Sequence, residues 1–240
     1  KREINIMKIL IFTATYNESK NIEKLIKKIF SLKMNLNLLI VDDNSPDKTY
    51  EKILLLKKKY RKIKLILRKK KEGIDTAHKL AFNFAKKNKY DYLITMDADL
   101  SHNPQEIPKF ITNIKKCHFV IGARYMKGGL CKMKPSRLLL SKYGNLLIKY
   151  SFDIHLDEFT SSYRAFNMKK LKGFNIKKVT AQGYSFFMET IYILFKKNFI
   201  LKQIPITFLD RKEGSSKIPK LELFRTLYNI FLIKLKIKKI

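Results

Sequence analysis

The alternation of short apolar runs with amphipathic segments is the feature of this sequence that most restricts its fold. Strand-like runs are predicted at Met7–Thr13, Asn37–Val41, Ile63–Leu67, Tyr92–Met96 and His118–Ala123. Between them, apolar residues recur at helical spacing, which predicts helices at Ser19–Lys33, Asp47–Tyr60, Thr76–Lys87 and Pro104–Lys116. Strands that alternate with helices of this length indicate βαβ units. We therefore expect an α/β fold with a mostly parallel central sheet flanked by helices.

Polar clusters stand where the predicted strands end. Tyr16-Asn17-Glu18 follows the first strand, Asp42-Asp43 follows the second, and Asp97-Ala98-Asp99 follows the fourth. In open α/β sheets, ligands bind at the carboxyl ends of the strands. These clusters are therefore expected to meet at one edge of the sheet and to form the functional site.

In the second half of the chain the regular alternation of predicted strands and helices stops. Helices are predicted at Arg137–Phe152 and Tyr184–Lys197, a strand-like run at Phe199–Phe208, and a polar, hydroxyl-rich loop at Glu158–Arg164. A final apolar helix at Leu221–Ile240 carries several lysines. Its composition suits either a membrane interface or packing on the domain.

The charge of the chain is strongly basic. Its 240 residues include 52 Lys+Arg against 20 Asp+Glu, a formal net charge of +32. This charge indicates a polyanionic neighbour, or a general bias toward lysine in the source. A non-enzymatic nucleic-acid-binding protein would need a recognisable module, and none is readable. We expect no nucleic-acid partner.

The two cysteines exclude a disulfide scaffold and a four-cysteine zinc site, so a reducing compartment is expected. Residues 1–8 lack the apolar stretch of a signal peptide. No uncharged apolar run reaches the roughly 18–20 residues that span a bilayer. The chain is therefore expected to lie on a membrane at most, and not to cross it.

Asp97 and Asp99 are the sharpest chemical feature of the sequence. Two carboxylates separated by one residue, just after a strand, suit a hard divalent cation such as Mg²⁺ or Mn²⁺. The alternative is a pair of helix-capping aspartates before Pro104. His102 stands beside the pair, and an exposed loop histidine is the simpler interpretation of it.

Arginine is informative because only 8 of the basic residues are arginines. Its planar fork binds phosphate with two bonds, which lysine cannot replace. Arg124, Arg137, Arg164 and Arg211 fall in or near the polar loops of the second half. They are interpreted as phosphate ligands rather than as chance placements.

The motifs together resemble inverting family 2 glycosyltransferases and, more narrowly, dolichol-phosphate mannosyltransferases. The early matching motifs are Thr15-Tyr16-Asn17-Glu18, Val41-Asp42-Asp43-Asn44-Ser45-Pro46-Asp47 and Met96-Asp97-Ala98-Asp99-Leu100-Ser101-His102. The later ones are Ile121-Gly122-Ala123-Arg124-Tyr125, Phe159-Thr160-Ser161-Ser162-Tyr163-Arg164, Gly183-Tyr184-Ser185-Phe186-Phe187-Met188-Glu189 and Asp210-Arg211-Lys212-Glu213-Gly214-Ser215-Ser216-Lys217. Glu158 stands where the family often has aspartate.

This resemblance implies a GT-A type nucleotide-sugar fold over residues 7–220, followed by a basic amphipathic helix over 221–240. It implies that Mg²⁺ or Mn²⁺ is held by Asp97, Asp99 and Ser101. The implied catalytic residues are Asp99, Arg124, Arg211 and Lys217. The implied nucleotide-sugar contacts are Thr15, Tyr16, Glu18, Val41, Asp42, Asp43, Asp97, Ala98, Arg124, Arg211 and Lys217. The implied contacts to the acceptor phosphate are Arg137, Ser141 and Arg164.

The activity implied by the resemblance is inverting transfer of mannose from GDP-mannose to a polyprenyl (dolichyl) monophosphate. The alternative is transfer of glucose or another sugar from a UDP-sugar to undecaprenyl phosphate. The expected location is the cytoplasmic face of a membrane. There, either the C-terminal helix or a small membrane-anchoring subunit would hold the enzyme at its lipid substrate.

Overall fold

The computed structural model describes residues 7–210 and 222–237, and within 222–237 it describes the side chains of residues 227–235. The strands are β1 (Ile9–Thr15), β2 (Leu36–Asp42), β3 (Ile63–Leu67), β4 (Tyr92–Thr95), β5 (Phe119–Ala123), β6 (Leu130–Lys132), β7 (Arg164–Asn167), β8 (Leu201–Pro205) and β9 (Thr207–Leu209). The helices are α1 (Ile22–Phe30), α2 (Thr49–Lys59), α3 (Ile74–Lys87), α4 (Ile107–Ile114), α5 (Pro135–Phe152), α6 (Ser185–Lys196) and α7 (Glu222–Ile237).

A seven-stranded sheet with the order β3-β2-β1-β4-β7-β5-β8 forms the centre of the molecule. β1 pairs in parallel with both β2 and β4, and β5 pairs in parallel with β8. β7 is antiparallel to both of its neighbours, β4 and β5. The predicted α/β architecture with a mostly parallel sheet is therefore confirmed.

The sheet is buried on both faces, as its continuous apolar strands require. Along β1, Leu10 and Phe12 point into one apolar layer, while Ile9 and Ile11 point into the other. Residues of α3 and α6 complete the first layer, and residues of α1 and α4 complete the second. This arrangement leaves the carboxyl ends of β1, β2 and β4 free to carry polar groups.

Two regions of the chain, which form β7 and the strands β8 and β9, differ from the sequence-based expectation. β7 begins at Arg164, the last residue of the stretch predicted to be a loop. The run predicted as a single strand over Phe199–Phe208 is divided: β8 stays in the main sheet, and β9 pairs with β6 in a separate two-stranded sheet. Pro205 ends β8, and because proline has no backbone N–H it is a natural place for the pairing to change.

The last helix packs on the domain through one side and exposes the other. Ile230 and Ile233 belong to the buried core, and the Asn229 amide donates a hydrogen bond to the Ser185 hydroxyl of α6 at 2.7 Å. Tyr228 and Phe231 are 64% and 60% exposed. Across residues 7–210 and 222–237, no helix combines the length and the apolar character that crossing a bilayer requires.

Candidate active site

A cleft of about 380 Å³ opens at the carboxyl ends of β1, β2 and β4, between these strand ends and the helices α5 and α6. Most of the residues predicted from the sequence line it. They are Thr15, Tyr16, Glu18, Asp43, Asp97, Ala98, Asp99, Arg124, Arg137 and Ser141. The topology therefore brings together residues that lie more than 120 positions apart in the chain.

Asp97 and Asp99 both face this cleft from the loop that follows β4. The Ser162 hydroxyl donates a 2.5 Å hydrogen bond to Oδ1 of Asp97, and the backbone N–H of Ser101 donates one to Oδ1 of Asp99 at 3.0 Å. Leu100, between Asp99 and Ser101, adopts a left-handed backbone with φ of 64°. The loop is thus held by one hydrogen bond of its own and one from Ser162, and both of its carboxylates line the cleft.

His102 is buried, so the expectation of an exposed loop histidine is wrong. Its Nδ1 accepts a hydrogen bond from the backbone N–H of Asp97 at 3.1 Å, which fixes the ring in a neutral tautomer. Burial lowers the pKa of His102 despite the nearby carboxylates of Asp97 and Asp99. The histidine therefore supports the loop that carries the two aspartates.

Asp42 and Asp43, adjacent in sequence, have different roles. The Asp42 carboxylate is fully buried and accepts hydrogen bonds from the Thr15 hydroxyl at 2.6 Å and from the Ser45 N–H and hydroxyl at 2.9 and 2.7 Å. It holds the turn after β2 and does not line the cleft, which corrects its expected nucleotide contact. Val41 likewise places its side chain in the core.

Asp43 lines the cleft and is paired with Arg68, which the sequence reasoning did not single out. Arg68 is buried and also donates hydrogen bonds to the Thr76 hydroxyl and to the Gly73 carbonyl. It follows β3, the neighbour of β2, so its position one residue past a strand end was the available signal. The pair fixes the Asp43 carboxylate at the rim of the cleft.

Tyr16 lines the cleft together with Asp43 and Arg68. Lys71 places its ammonium group over the Tyr16 ring, 4.6 Å from the ring centroid. Gly73 and Ile74, at the start of α3, line the cleft beside these residues. An aromatic ring, a carboxylate and two cations are thus collected at the end of the cleft formed by β1, β2 and α3.

Arg124 lines the cleft and forms a buried ion pair with Glu158. Its Nε and Nη2 donate to the two carboxylate oxygens at 2.6 and 2.8 Å, and Nη2 also donates to the Thr160 hydroxyl at 2.9 Å. Burial alone would raise the pKa of Glu158, but the charge and hydrogen bonds of Arg124 hold that pKa below its ordinary value. The pair joins the end of β5 to the 158–161 loop.

Arg164 does not line the cleft, which corrects its expected role as a ligand of the acceptor phosphate. Its side chain is 1% exposed, and its three guanidinium nitrogens donate to the backbone carbonyls of Ser161, Phe187 and Phe159 at 2.7 to 2.9 Å. Burial lowers the pKa of Arg164 to about 9. This guanidinium ties α6 to the 159–161 loop beneath the cleft.

Arg137 and Ser141 lie one turn apart on α5 and face the cleft. Arg137 Nη1 pairs with Oδ1 of Asp210 at 3.3 Å, and its side chain remains partly exposed. Apolar side chains also line the cleft, namely Leu140 and Ile148 on α5 and Phe187 and Met188 on α6. The lining of the cleft therefore combines charged and polar groups with apolar side chains.

Three further predicted residues are not among those that line the cleft in the described part of the chain. The Ser101 side chain is buried, its hydroxyl has no hydrogen-bond partner among the described residues, and it is not part of the cleft lining. Arg211 and Lys217 lie outside the described residues. Their roles stay predictions.

The sequence pattern of glycosyl transferase family 2 matches residues 10–174 of the chain. Among curated relatives, the chain is 27% identical over 213 residues to an undecaprenyl-phosphate mannosyltransferase of Micrococcus luteus, covering 88% of each chain. It is 28% identical over 214 residues to a polyprenol monophosphomannose synthase of Mycolicibacterium smegmatis, covering 87% of this chain and 80% of the relative. It is 34% identical over 234 residues to a dolichol-phosphate mannosyltransferase of Pyrococcus furiosus, covering 94% of this chain and 63% of that one.

Solved structures share the fold. One is a glucosyl-3-phosphoglycerate synthase of Mycobacterium tuberculosis, with a TM-score of 0.64 and 16% identity over 96% of this chain and 78% of that one. Another is a mannosyltransferase of Pyrobaculum calidifontis solved with GDP-mannose and Mn²⁺, with a TM-score of 0.59 and 16% identity over 95% and 64% of the two chains. These neighbours confirm the predicted GT-A fold. Because the family pattern covers most of the sheet and the strand-end aspartates, the chain belongs to glycosyltransferase family 2.

Proposed function

We propose that this enzyme transfers mannose from GDP-mannose to a polyprenyl monophosphate and inverts the configuration at the anomeric carbon. The observation that carries the proposal is the mixed lining of the cleft, in which carboxylates and cations stand together with apolar side chains of α5 and α6. Such a cleft suits one polar donor and one amphiphilic phosphate acceptor. The three relatives support it, because all are named for mannose transfer and for polyprenol or dolichol lipids.

The donor set of the cleft fits a divalent cation. Asp97 and Asp99 offer hard oxygen ligands at the same edge. Within the described ranges no group of three or more His, Cys, Asp or Glu side chains forms an all-protein metal cage. Mg²⁺ and Mn²⁺ typically keep positions for water and substrate phosphates, so two carboxylates are a sufficient protein contribution. The bound cation would neutralise the diphosphate of the donor as it leaves.

The residues at the β1, β2 and α3 end of the cleft would bind the nucleoside of the donor. The Asp43 carboxylate, fixed by Arg68, can accept hydrogen bonds from a base or a ribose, and the Tyr16 ring can pack on either. Arg124 lies in the same cleft, where its positive charge favours phosphate. By the resemblance, Arg211 and Lys217 would add further phosphate contacts.

The acceptor needs little chemical activation. The oxygen of a lipid monophosphate is already anionic near neutral pH, so attack requires no strong general base. Arg137 and the Ser141 hydroxyl would hold this phosphate against the repulsion of the donor diphosphate. The acceptor oxygen then forms a bond to the anomeric carbon while the bond to the diphosphate breaks, and GDP leaves with the electron pair. In-line displacement converts the α-linked donor into a β-linked lipid product.

A binding comparison of two donors tests the proposed nucleotide and sugar. GDP-mannose with Mn²⁺ or Mg²⁺ is expected to stabilise the folded enzyme by about 2.7 kcal/mol at a hundred times its Kd, because a ligand that binds only the folded state shifts the unfolding equilibrium. The measurement is thermal unfolding with GDP-mannose or UDP-glucose, each with the metal or with EDTA. Stabilisation by UDP-glucose but not by GDP-mannose would contradict the donor assignment in favour of the UDP-sugar alternative.

We also propose that α5 and α7 seat the enzyme on an anionic membrane surface. The two helices pack together and expose apolar side chains, which we call the α5–α7 face. The face consists of Leu139, Tyr143, Leu146 and Tyr150 from α5 and Leu227, Tyr228, Phe231, Leu232 and Leu235 from α7. Lys142 and Lys234 are exposed on the same helices. Apolar and basic side chains together suit an interface with anionic lipid.

Point substitutions test this seating better than deletion of residues 221–240, because deletion would uncover the core around Ile230 and Ile233. The pair Tyr228→Glu and Phe231→Glu is expected to lower binding to phosphatidylglycerol vesicles about tenfold, since two exposed apolar groups become charged. The measurement is vesicle flotation at low and high salt.

The matched control is Leu54→Glu with Leu55→Glu, which changes two exposed leucines on α2. This control should float like the wild type. Equal loss in both pairs would contradict the seating through α7. Failure of the wild type to float without another protein would favour the small anchoring subunit.

A further inference from the structure

Gly144 occupies the interior of α5, where glycine is unfavourable. Glycine destabilises a helix interior relative to alanine because it loses more backbone freedom on folding. A glycine inside a helix is usually explained by an unusual backbone conformation or by a neighbour packed too closely for a side chain, and neither explanation applies at Gly144. The backbone at Gly144 is helical, and among the described residues, apart from the adjacent residues and the nearby backbone of α5 itself, no atom lies within 4 Å of a Cβ built there. Close packing therefore does not require the glycine.

The position of Gly144 in the cleft indicates why a glycine is needed there. Gly144 lines the cleft together with Leu140 and Ile148, four residues before and after it on the same face of α5. Phe187 and Met188 of α6 line the same cleft. Gly144 therefore leaves a gap between these apolar side chains, beside the polar Ser141 and Asn145, and no neighbour among the described residues fills that gap.

The gap lies next to the proposed site of the acceptor phosphate. Gly144 is three residues beyond Ser141 and seven beyond Arg137, which corresponds to about 4.5 Å and 10 Å along a helix that rises 1.5 Å per residue. This spacing is comparable to one or two isoprene units. A lipid whose phosphate contacts Arg137 and Ser141 can thus lay the start of its chain across Gly144.

We propose that Gly144 is a notch in α5 that receives the first isoprene units of a prenyl phosphate. This proposal rests on the proposed function, because it takes the acceptor phosphate to lie at Arg137 and Ser141. The notch and the apolar side chains on either side of it, Leu140 and Ile148, form a binding subsite for a branched hydrocarbon chain. A side chain at position 144 would occupy the space that the hydrocarbon chain needs, and this accounts for the glycine.

Graded substitutions at position 144 test the notch. Gly144→Ala is expected to raise the melting temperature and to raise the KM for a long-chain polyprenyl phosphate several-fold. Gly144→Leu is expected to raise this KM about tenfold or more, with the Kd for GDP-mannose unchanged. The matched control is Ser136→Leu, which adds the same side chain at an exposed position of α5 outside the cleft lining and should behave like the wild type.

A direct binding measurement separates failure of the notch from failure of the proposed function. A photoactivatable prenyl phosphate is expected to label α5 in the wild type and in Ser136→Leu, and to label Gly144→Leu about tenfold less. If the wild type transfers no mannose but shows this labelling pattern, the notch stands and the proposed reaction fails. If the wild type transfers mannose and Gly144→Leu keeps its acceptor KM and labelling, the notch is wrong. Loss of GDP-mannose affinity in Gly144→Leu would also overturn it.

Discussion

Replacing Asp99 by asparagine is expected to reduce the rate of mannose transfer by about a thousandfold or more, with the fold intact. The substitution removes the negative charge that the proposed cation needs. The amide oxygen can still accept the hydrogen bond that the Ser101 N–H donates to Oδ1 at 3.0 Å. The measurement is the initial rate of transfer from GDP-mannose to a polyprenyl phosphate over a range of Mn²⁺ concentrations.

The matched control for this prediction is Asp153→Asn. Asp153 is an exposed carboxylate at the end of α5, with a left-handed φ of 53° that asparagine tolerates. Its rate should equal that of the wild type. Full activity in Asp99→Asn at every metal concentration would show that Asp99 is not a metal ligand. A loss that excess Mn²⁺ restores would instead indicate weakened metal binding.

The sequence was sufficient to predict the first five strands and their intervening helices because their signals are local. A buried strand next to an amphipathic helix shows its hydrophobic period within a window of 10 to 15 residues or so. β7 has no such signal. Arg164 and Asn167 bound this short strand, and both are buried only because β7 lies between β4 and β5. Its insertion between these strands depends on tertiary contacts, so the local sequence from Glu158 to Arg164 predicts only a polar loop.

The aspartates of the site could be predicted because the end of a strand can be recognised from the residues next to it. The arginines could not be assigned in the same way. Whether a guanidinium faces a cleft or the core depends on distant groups, and Arg164 finds three backbone carbonyls from residues 159, 161 and 187. Arg68 stands one residue past the end of β3, which is a local signal, but its partner Asp43 comes from the neighbouring strand end and is not visible in the sequence around Arg68.

Replacing Glu158 by glutamine is expected to lower the free energy of unfolding by about 3–5 kcal/mol, because it leaves a buried guanidinium without its counter-charge. The Glu158 carboxylate is fully buried and also accepts hydrogen bonds from the Thr160 and Ser161 N–H groups at 3.0 and 3.1 Å. The measurement is urea unfolding at neutral pH. The control is Glu51→Gln, which removes an exposed carboxylate near Lys48 and should cost less than about 1 kcal/mol.

The pH dependence of this difference distinguishes a charge effect from a packing effect. The folded pKa of Glu158 lies below its unfolded value, so its charge stabilises the fold fully above about pH 4.3 and loses that effect as the pH falls through the folded pKa. The stability difference between wild type and Glu158→Gln should therefore be largest near neutral pH and should shrink in acid. A difference that stays constant down to the acid transition would mean that shape, and not charge, makes this residue necessary. A loss below about 1 kcal/mol at neutral pH would show that Arg124 does not need its partner, and the cleft arginine could then turn freely toward a phosphate.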